Sequence, residues 1–138
     1  MLFDVRENSN VPIYEQIVSQ VIFGVASGAV ASGELIPSVR DLADRLTVHP
    51  NTVARAFQEL EREGVLAAKR GRGMEVTADA PALCRERRRA IVQGRIREAL
   101  REAVSSALDP ETIRKLVDEE LHRANGYMRK HSGSKEVT

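Results

Sequence analysis

Side chains suited to hydrogen-bonding the edges of nucleic-acid bases follow one another closely after Pro50. Asn51, Thr52 and Arg55 supply amide, hydroxyl and guanidinium groups, which pair with base edges in the major groove of DNA. Asn51 and Arg55 are four positions apart, so a helix would carry both on one face. The pattern indicates a polar recognition surface, which neighbouring elements must keep exposed to solvent.

Two short helices around a tight turn are predicted to position this surface. Ser38 is a good N-cap for the first helix, and Asp41 follows near the positive helix end. Apolar residues then recur with helical spacing. They are Val39, Leu42, Ala43 and Leu46.

The second helix is predicted over residues 50–63. Residues 47–49 leave room only for a sharp turn, and Pro50 fits the first position of the helix that follows. The expected buried side consists of Val53, Phe57 and Leu60. Because each helical residue turns by about 100°, Asn51 and Arg55 lie roughly opposite that side.

Two further elements complete the predicted domain. A first helix runs from Pro12 to Gly28, and Ile22-Phe23 widens its apolar stripe, which predicts additional packing in the domain, a dimer contact or docking of the C-terminal helices. Phe3 and Val5 are expected to form an extended arm on the domain. Residues 65–77 have the pattern of a β-hairpin with a basic, glycine-containing tip. The result is a winged helix-turn-helix plan.

The order and spacing of these segments resemble the DNA-binding domain of the GntR family of bacterial transcription regulators, over residues 11–77. The segments are Pro12-Ile13-Tyr14-Glu15-Gln16-Ile17, Ser27-Gly28, Pro37-Ser38-Val39-Arg40-Asp41-Leu42-Ala43, Asn51-Thr52-Val53-Ala54-Arg55-Ala56-Phe57, Leu60-Glu61-Arg62-Glu63-Gly64 and Arg70-Gly71-Arg72-Gly73. The Pro-Asn-Thr-Val-Ala-Arg version, with a short C-terminal part, looks like the YtrA-type subfamily.

The resemblance implies a dimeric repressor with its recognition helix in the major groove and its wing on the minor groove or backbone. Arg40 matches the family's arginine on the preceding helix, which is expected on phosphate or a base edge. The implied recognition-helix positions are Asn51, Thr52 and Arg55, and the wing-tip positions are Arg70 and Gly71. Ser38, Arg72 and His49 complete the candidate DNA-binding set; His49 precedes the recognition helix, where the family often contacts the backbone.

A second module is predicted after residue 78, at the polar break 78–81. One helix continues to about Leu108, and another begins at Pro110 behind an Asp109 cap. Apolar residues spaced by three and four are expected to pair two copies of the chain, because two helices alone would leave an edge exposed. They are Val92, Ile96, Leu100, Val104, Ile113, Leu116, Val117 and Leu121. We expect residues 79–131 to dimerise and residues 132–138 to be a disordered tail.

Composition limits the remaining possibilities. Residues 1–78 carry a net charge of −2 and residues 79–138 carry +3, so a case for DNA depends on local placement. The single Cys84 excludes an intramolecular disulfide framework. A secretory pattern is absent, and no run approaches the ~20 apolar residues of a spanning helix, so a cytoplasmic protein without a membrane partner is expected.

The sequence therefore predicts a mainly α fold with a small β-hairpin, in which domain 1–78 binds DNA. The predicted function is a homodimeric transcription regulator on an inverted-repeat operator, and the alternative is a winged-helix adaptor that binds protein. No catalytic set, metal cluster or phosphate loop converges, so neither an enzyme nor a metal or other cofactor is expected. A small-molecule effector would have to bind at the dimer seam or the domain junction.

Overall fold

A computed structural model describes residues 3–132, with side chains through residue 126. The elements are α1 (Ile13–Ala26), β1 (Leu35–Ile36), α2 (Val39–Leu46), α3 (Pro50–Arg62), β2 (Leu66–Lys69), β3 (Gly73–Val76), α4 (Ala80–Ser105) and α5 (Pro110–Ser132). They divide into a first unit that ends at Val92 and a second that begins at Gln93. The predicted mainly helical fold with a β-hairpin is confirmed.

The core of the first unit forms where α1 and α2 pack on α3. On α1, Ile17, Val21 and Ile22 are completely buried, and Phe23 is half-buried against the same core. The wide stripe around Ile22 thus packs within its own unit. Each such side chain contributes about 1.5–3 kcal/mol through removal from water, so α1 anchors the domain. Pro12 stands at the N-cap of α1 and not at its first helical position.

The predicted N-terminal arm packs on α1. Phe3 and Val5 are half-buried against the core. The backbone N–H of Asp4 donates to Gln20 Oε1 over 2.9 Å, and that of Arg6 donates to Gln16 Oε1 over 2.8 Å. Because the two glutamines are one helical turn apart, α1 holds the arm with successive side chains.

The sheet has one strand more than the predicted hairpin. β2 and β3 pair antiparallel, with Leu66 opposite Val76 and Lys69 opposite Gly73. β1 adds to the free side of β3, which gives the order β1-β3-β2. Its two residues pair with Glu75 and Met74. β1 therefore ties the segment before α2 to the hairpin.

The segment 78–81 differs from the polar break that the sequence indicates. Ala80 and Pro81 belong to the first turn of α4, where proline is tolerated because that N–H has no partner inside the helix. Ala80 and Cys84 are fully buried in the core. The first compact unit consequently continues to Val92, whereas its predicted end is residue 78.

The ends of the last two helices also differ from their predicted positions. α4 ends at Ser105, before Leu108, and Ala107 adopts a φ of 63°, a left-handed conformation that closes the helix. α5 continues past Met128 to Ser132 and includes Gly126. Residues 133–138 of the predicted tail lie outside the described residues.

Candidate nucleic-acid interface

The turn between α2 and α3 sets the position of the polar surface. The backbone N–H of Asp41 donates to Ser38 Oγ over 3.1 Å, which confirms the predicted cap of α2. Thr47 ends α2 in the left-handed region at φ 54°, which is unfavourable for a β-branched residue. The Val48 N–H, which donates to Ala43 O over 3.1 Å, and the half-buried Val48 side chain hold that conformation.

α3 presents two opposite faces, as its spacing predicts. Val53, Phe57 and Leu60 lie in the core together with Ala56. Asn51 and Arg55 are exposed, and Thr52 is half-buried on the flank. The polar groups that match base edges thus cluster in the first two turns of a helix whose other side is anchored. Arg40 is exposed near the start of α2.

Arg55 has a neighbour that its position in the sequence does not reveal. Its guanidinium carbon lies 3.7 Å from the centroid of the Tyr14 ring, within the range of a cation–π contact. Tyr14 belongs to the first turn of α1, where its apolar surroundings suit a core position, and it is half-buried. The signal for a second role would have been its hydroxyl-bearing aromatic ring on the edge of the apolar stripe.

Two of the candidate contacts also cap helices. The backbone N–H of Asn51 donates to His49 Nδ1 over 3.0 Å, so His49 is the N-cap of α3. In this arrangement Nε2 carries the ring proton and can still donate. Ser38 accepts from Asp41 in the same way at α2. Both side chains therefore hold the helix pair in place, a role that does not depend on DNA.

The hairpin tip carries the second group of candidate residues. Arg70, Gly71 and Arg72 are all exposed between β2 and β3. Gly71 has a φ of 75°, and the Arg72 N–H donates to Lys69 O over 2.9 Å to close the turn. A glycine suits this backbone because a Cβ would be strained there. The tip thus offers two guanidinium groups and a bare backbone, which can approach a phosphate closely.

Residues 85–89 of α4 comprise four arginines and one glutamate, and one of these arginines forms an ion pair within the first unit. Arg87 Nε pairs with Glu63 Oε1 at 2.6 Å, which ties α4 to the C-cap residue of α3. Burial, with a smaller contribution from Glu63, raises the pKa of the nearby Cys84 thiol to about 11. With residues 85–89 included, the first unit has no net charge, because residues 1–92 carry twelve basic and twelve acidic side chains.

Comparison with known proteins agrees with this geometry. The family described as bacterial regulatory proteins, gntR family, matches residues 13–76. The HTH-type transcriptional repressor YtrA of Bacillus subtilis is 30% identical over 86% of this chain and 91% of its own length. The chain belongs to the gntR family. The resemblance to YtrA-type members is confirmed as well.

Solved structures of this family share the fold. YtrA from Sulfolobus acidocaldarius, a GntR-family transcription factor, aligns with a TM-score of 0.55 and 30% identity over 72% of this chain and 98% of that one. A transcriptional antiterminator from Listeria monocytogenes aligns with a TM-score of 0.64 and 35% identity over 87% of this chain and 90% of that one. The protein is thus a DNA-binding transcription regulator of the gntR family and not an enzyme.

The described part of this gntR-family chain contains neither a membrane-spanning helix nor a cluster of metal ligands. None of its helices combines the length and apolar character needed to cross a membrane. Within the same residues, no group of three or more histidine, cysteine or acidic side chains is arranged to hold a metal ion.

Apolar residues at helical spacing along α4 and α5 are largely exposed in the part of the chain whose side chains the structure describes. We call the eight residues predicted to pair two copies the C-terminal stripe. Seven of them are exposed, from 37% for Leu100 to 65% for Val104, and Ile113 is half-buried. Within the described residues α4 and α5 make few contacts with each other, so neither helix covers the stripe residues of the other. A single chain therefore exposes a long apolar surface.

Proposed function

We propose that this protein is a homodimeric, sequence-specific repressor that binds two inverted half-sites about one helical turn apart. The observation that carries the proposal is the exposed polar face of α3, formed by Asn51 and Arg55 opposite a fully anchored side. The name of the Bacillus subtilis relative, a transcriptional repressor, supports the direction of regulation. A regulator of this kind acts where DNA is held, so we assign it to the cytoplasm.

In this proposal the two groups of candidate residues have different tasks. Asn51, Thr52 and Arg55 contact base edges in the major groove, with Arg40 on phosphate or a base edge beside them. Arg70, Gly71 and Arg72, at the tip of the β2–β3 hairpin, contact the DNA backbone or the minor groove. Phosphate contacts supply affinity without sequence information, whereas base contacts supply discrimination.

Dimerisation follows from the C-terminal stripe. Exposed valine, isoleucine and leucine residues at helical spacing are costly in water, and a second copy offers a matching apolar surface. Pairing also suits the DNA-binding task, because one recognition helix contacts few bases and few phosphates. Two linked copies gain affinity through their high effective concentration.

Selection of DNA fragments by the purified protein, followed by titration with salt, tests the proposal. We expect enrichment of an inverted repeat. Arg55→Ala should cost about 1–3 kcal/mol of binding free energy and relax the sequence preference, since a base contact is lost. Arg70→Ala should weaken binding to all duplexes evenly and reduce the salt slope by about one.

Arg114→Ala on α5 is the matched control, because it removes an exposed arginine outside both candidate groups. It should leave affinity and sequence preference unchanged. If the purified protein showed no salt-dependent binding to random duplex, the proposed phosphate contacts would be refuted and the adaptor alternative would be favoured. Unchanged preference in Arg55→Ala would instead refute only the placement of α3 in the groove.

A further inference from the structure

The contact between Arg55 and Tyr14 connects the recognition helix to α1 outside the buried core. The Arg55 guanidinium lies over the Tyr14 ring at 3.7 Å, while Arg55 is exposed and Tyr14 is half-buried. The Tyr14 hydroxyl donates to Glu15 Oε1 over 3.2 Å. Since α1 packs on α3 through the core, the ring has a fixed position relative to the helix that carries Arg55.

Stacking occupies the face of a guanidinium and leaves its hydrogen-bond donors free. The five N–H groups of arginine lie in the plane of the group and point outward from its edge. A bidentate pair with guanine O6 and N7 uses that edge. Arg55 can therefore remain on Tyr14 and bind a guanine at the same time.

The contact also changes what binding costs. A free arginine side chain loses much of its rotamer freedom when it is held in one orientation. The Tyr14 ring restricts those rotamers before DNA arrives, so less freedom is lost when the base contact forms. A restricted guanidinium should discriminate more sharply among bases, because it cannot easily turn toward other acceptors.

We propose that Tyr14 is a positioning residue that orients Arg55 toward a guanine in each half-site and thereby sets the sequence preference at that position. The inference rests on the proposed function, in which Arg55 contacts a base edge. Tyr14 itself is not assigned a contact with DNA. Its effect passes entirely through Arg55.

Nuclear magnetic resonance tests the stacking without DNA. The side-chain Nε–Hε signal of Arg55 should show a ring-current shift in the wild-type protein. The shift should persist in Tyr14→Phe, which keeps the ring and loses the hydroxyl, and should vanish in Tyr14→Leu. An identical Arg55 signal in wild type and Tyr14→Leu would overturn the proposal.

A double-mutant cycle tests the effect on sequence preference. The probes are the duplex selected by the wild-type protein and the same duplex with the preferred guanine replaced by adenine. The measured quantity is the ratio of the two affinities, which is insensitive to a change in the folded fraction. Tyr14→Leu should reduce this ratio roughly two- to tenfold, and Tyr14→Phe should leave it within about twofold.

In an Arg55→Ala background, Tyr14→Leu should have no further effect on the ratio. Equal reductions in both backgrounds would overturn the proposal, since Tyr14 would then act independently of Arg55. An undiminished ratio in Tyr14→Leu alone would overturn it too. If Arg55→Ala itself kept the full ratio, the proposed function of Arg55 would fail and remove the basis of the inference, while the ring-current shift would still report the stacking.

Discussion

The two ends of α4 carry similar residue types in opposite environments. Ala80 and Cys84 are completely buried in the first unit, whereas Ile96 and Val104, further along the same helix, are 54% and 65% exposed. α1 has the same spacing of aliphatic residues and buries Ile17 completely. Helical periodicity thus predicts an apolar face equally well in each case, and the surroundings decide whether the same chain covers it.

The difference assigns separate tasks to the two regions. The buried core of the first unit forms within one chain, so the stability of this unit should not depend on protein concentration. The C-terminal stripe has no cover of its own, and in our proposal it gains one only from a second copy. Substitutions in the two regions should therefore respond differently to concentration, even where the same residue type is changed.

The largest effect is expected from a charge in the C-terminal stripe. Ile96→Glu should convert the dimer to a monomer, because a carboxylate buried in an apolar interface loses its hydration without gaining a partner. Loss of pairing should lower affinity for the selected duplex by about 100-fold or more, since the second half-site no longer contributes. Analytical ultracentrifugation and a binding titration measure the two effects.

Arg101→Gln provides the control for this variant. It changes the net charge of the chain by the same single unit, and Arg101 is exposed on α4 outside the C-terminal stripe. The variant should remain dimeric with its DNA affinity unchanged. A dimeric Ile96→Glu protein would refute the pairing surface, and a monomer with full affinity would refute the need for two copies.

The next largest effect is expected in the core. Leu60→Ala removes a completely buried side chain of α3 and should destabilise the first unit by about 2–5 kcal/mol, from lost burial and a residual cavity. Urea unfolding at two well-separated protein concentrations should give the same loss at both. Leu121→Ala, at a 57% exposed position of the C-terminal stripe, should show a loss that depends on concentration. Concentration-dependent destabilisation by Leu60→Ala would contradict the comparison.

Local signals made much of this fold predictable. Helix-start residues influence only the backbone within a few positions of themselves. Three of them stand at the predicted helix starts: Ser38, Pro50 and Asp109. The buried stripe of α3 follows from period alone. The exposed polar face of the candidate site was predictable for the same reason, since it lies opposite that stripe.

Features that depend on distant partners were not predictable. β1 has only two residues and exists because Glu75 and Met74 lie beside it, far along the chain. The sequence at the start of α4 has the pattern of a polar break, but in the folded chain Ala80 is buried in the core. Tyr14 fits the apolar side of α1 equally well whether or not an arginine lies over its ring. These contacts depend on tertiary placement, which a local pattern does not encode.

A smaller effect is expected at the buried end of α4, where the Cys84 thiol should make the free energy of unfolding depend on pH. The folded state holds the Cys84 pKa at about 11, above the ordinary value of 9.0, so it binds the thiol proton more tightly than the unfolded chain does. This contribution is complete below about pH 9 and is lost as the pH rises toward about 11. Urea unfolding should show a decline of about 2 kcal/mol across that range.

Cys84→Ala identifies the part of the decline that belongs to the thiol. Other groups also titrate at high pH, so the comparison concerns slopes and not absolute stabilities. The variant should be less stable at neutral pH because of its cavity, yet its stability should fall less steeply above about pH 9. If the free energy of unfolding fell equally steeply with pH in both proteins, the Cys84 thiol would not be shielded from water, which would contradict its burial.

The smallest expected effect compares the helix caps of the two units. Ser38 Oγ accepts from Asp41 N–H at the start of α2, and Asp109 Oδ2 accepts from Glu111 N–H over 3.1 Å at the start of α5. Replacement of either residue by alanine should cost about 1 kcal/mol locally. Amide hydrogen exchange should show faster exchange throughout the core of the first unit in Ser38→Ala, because α2 belongs to that cooperative unit.

Asp109→Ala should leave exchange in α1 and α3 unchanged and accelerate it only in the second unit. Ser38→Asp, which retains an acceptor at the cap, should restore the wild-type pattern in the first unit. If Asp109→Ala also accelerated exchange in the core of the first unit, the two regions would unfold together. The stability of the first unit would then depend on the second unit, which contradicts the proposed independence of the two. That result would leave the proposed uses of α3 and of the C-terminal stripe unaffected.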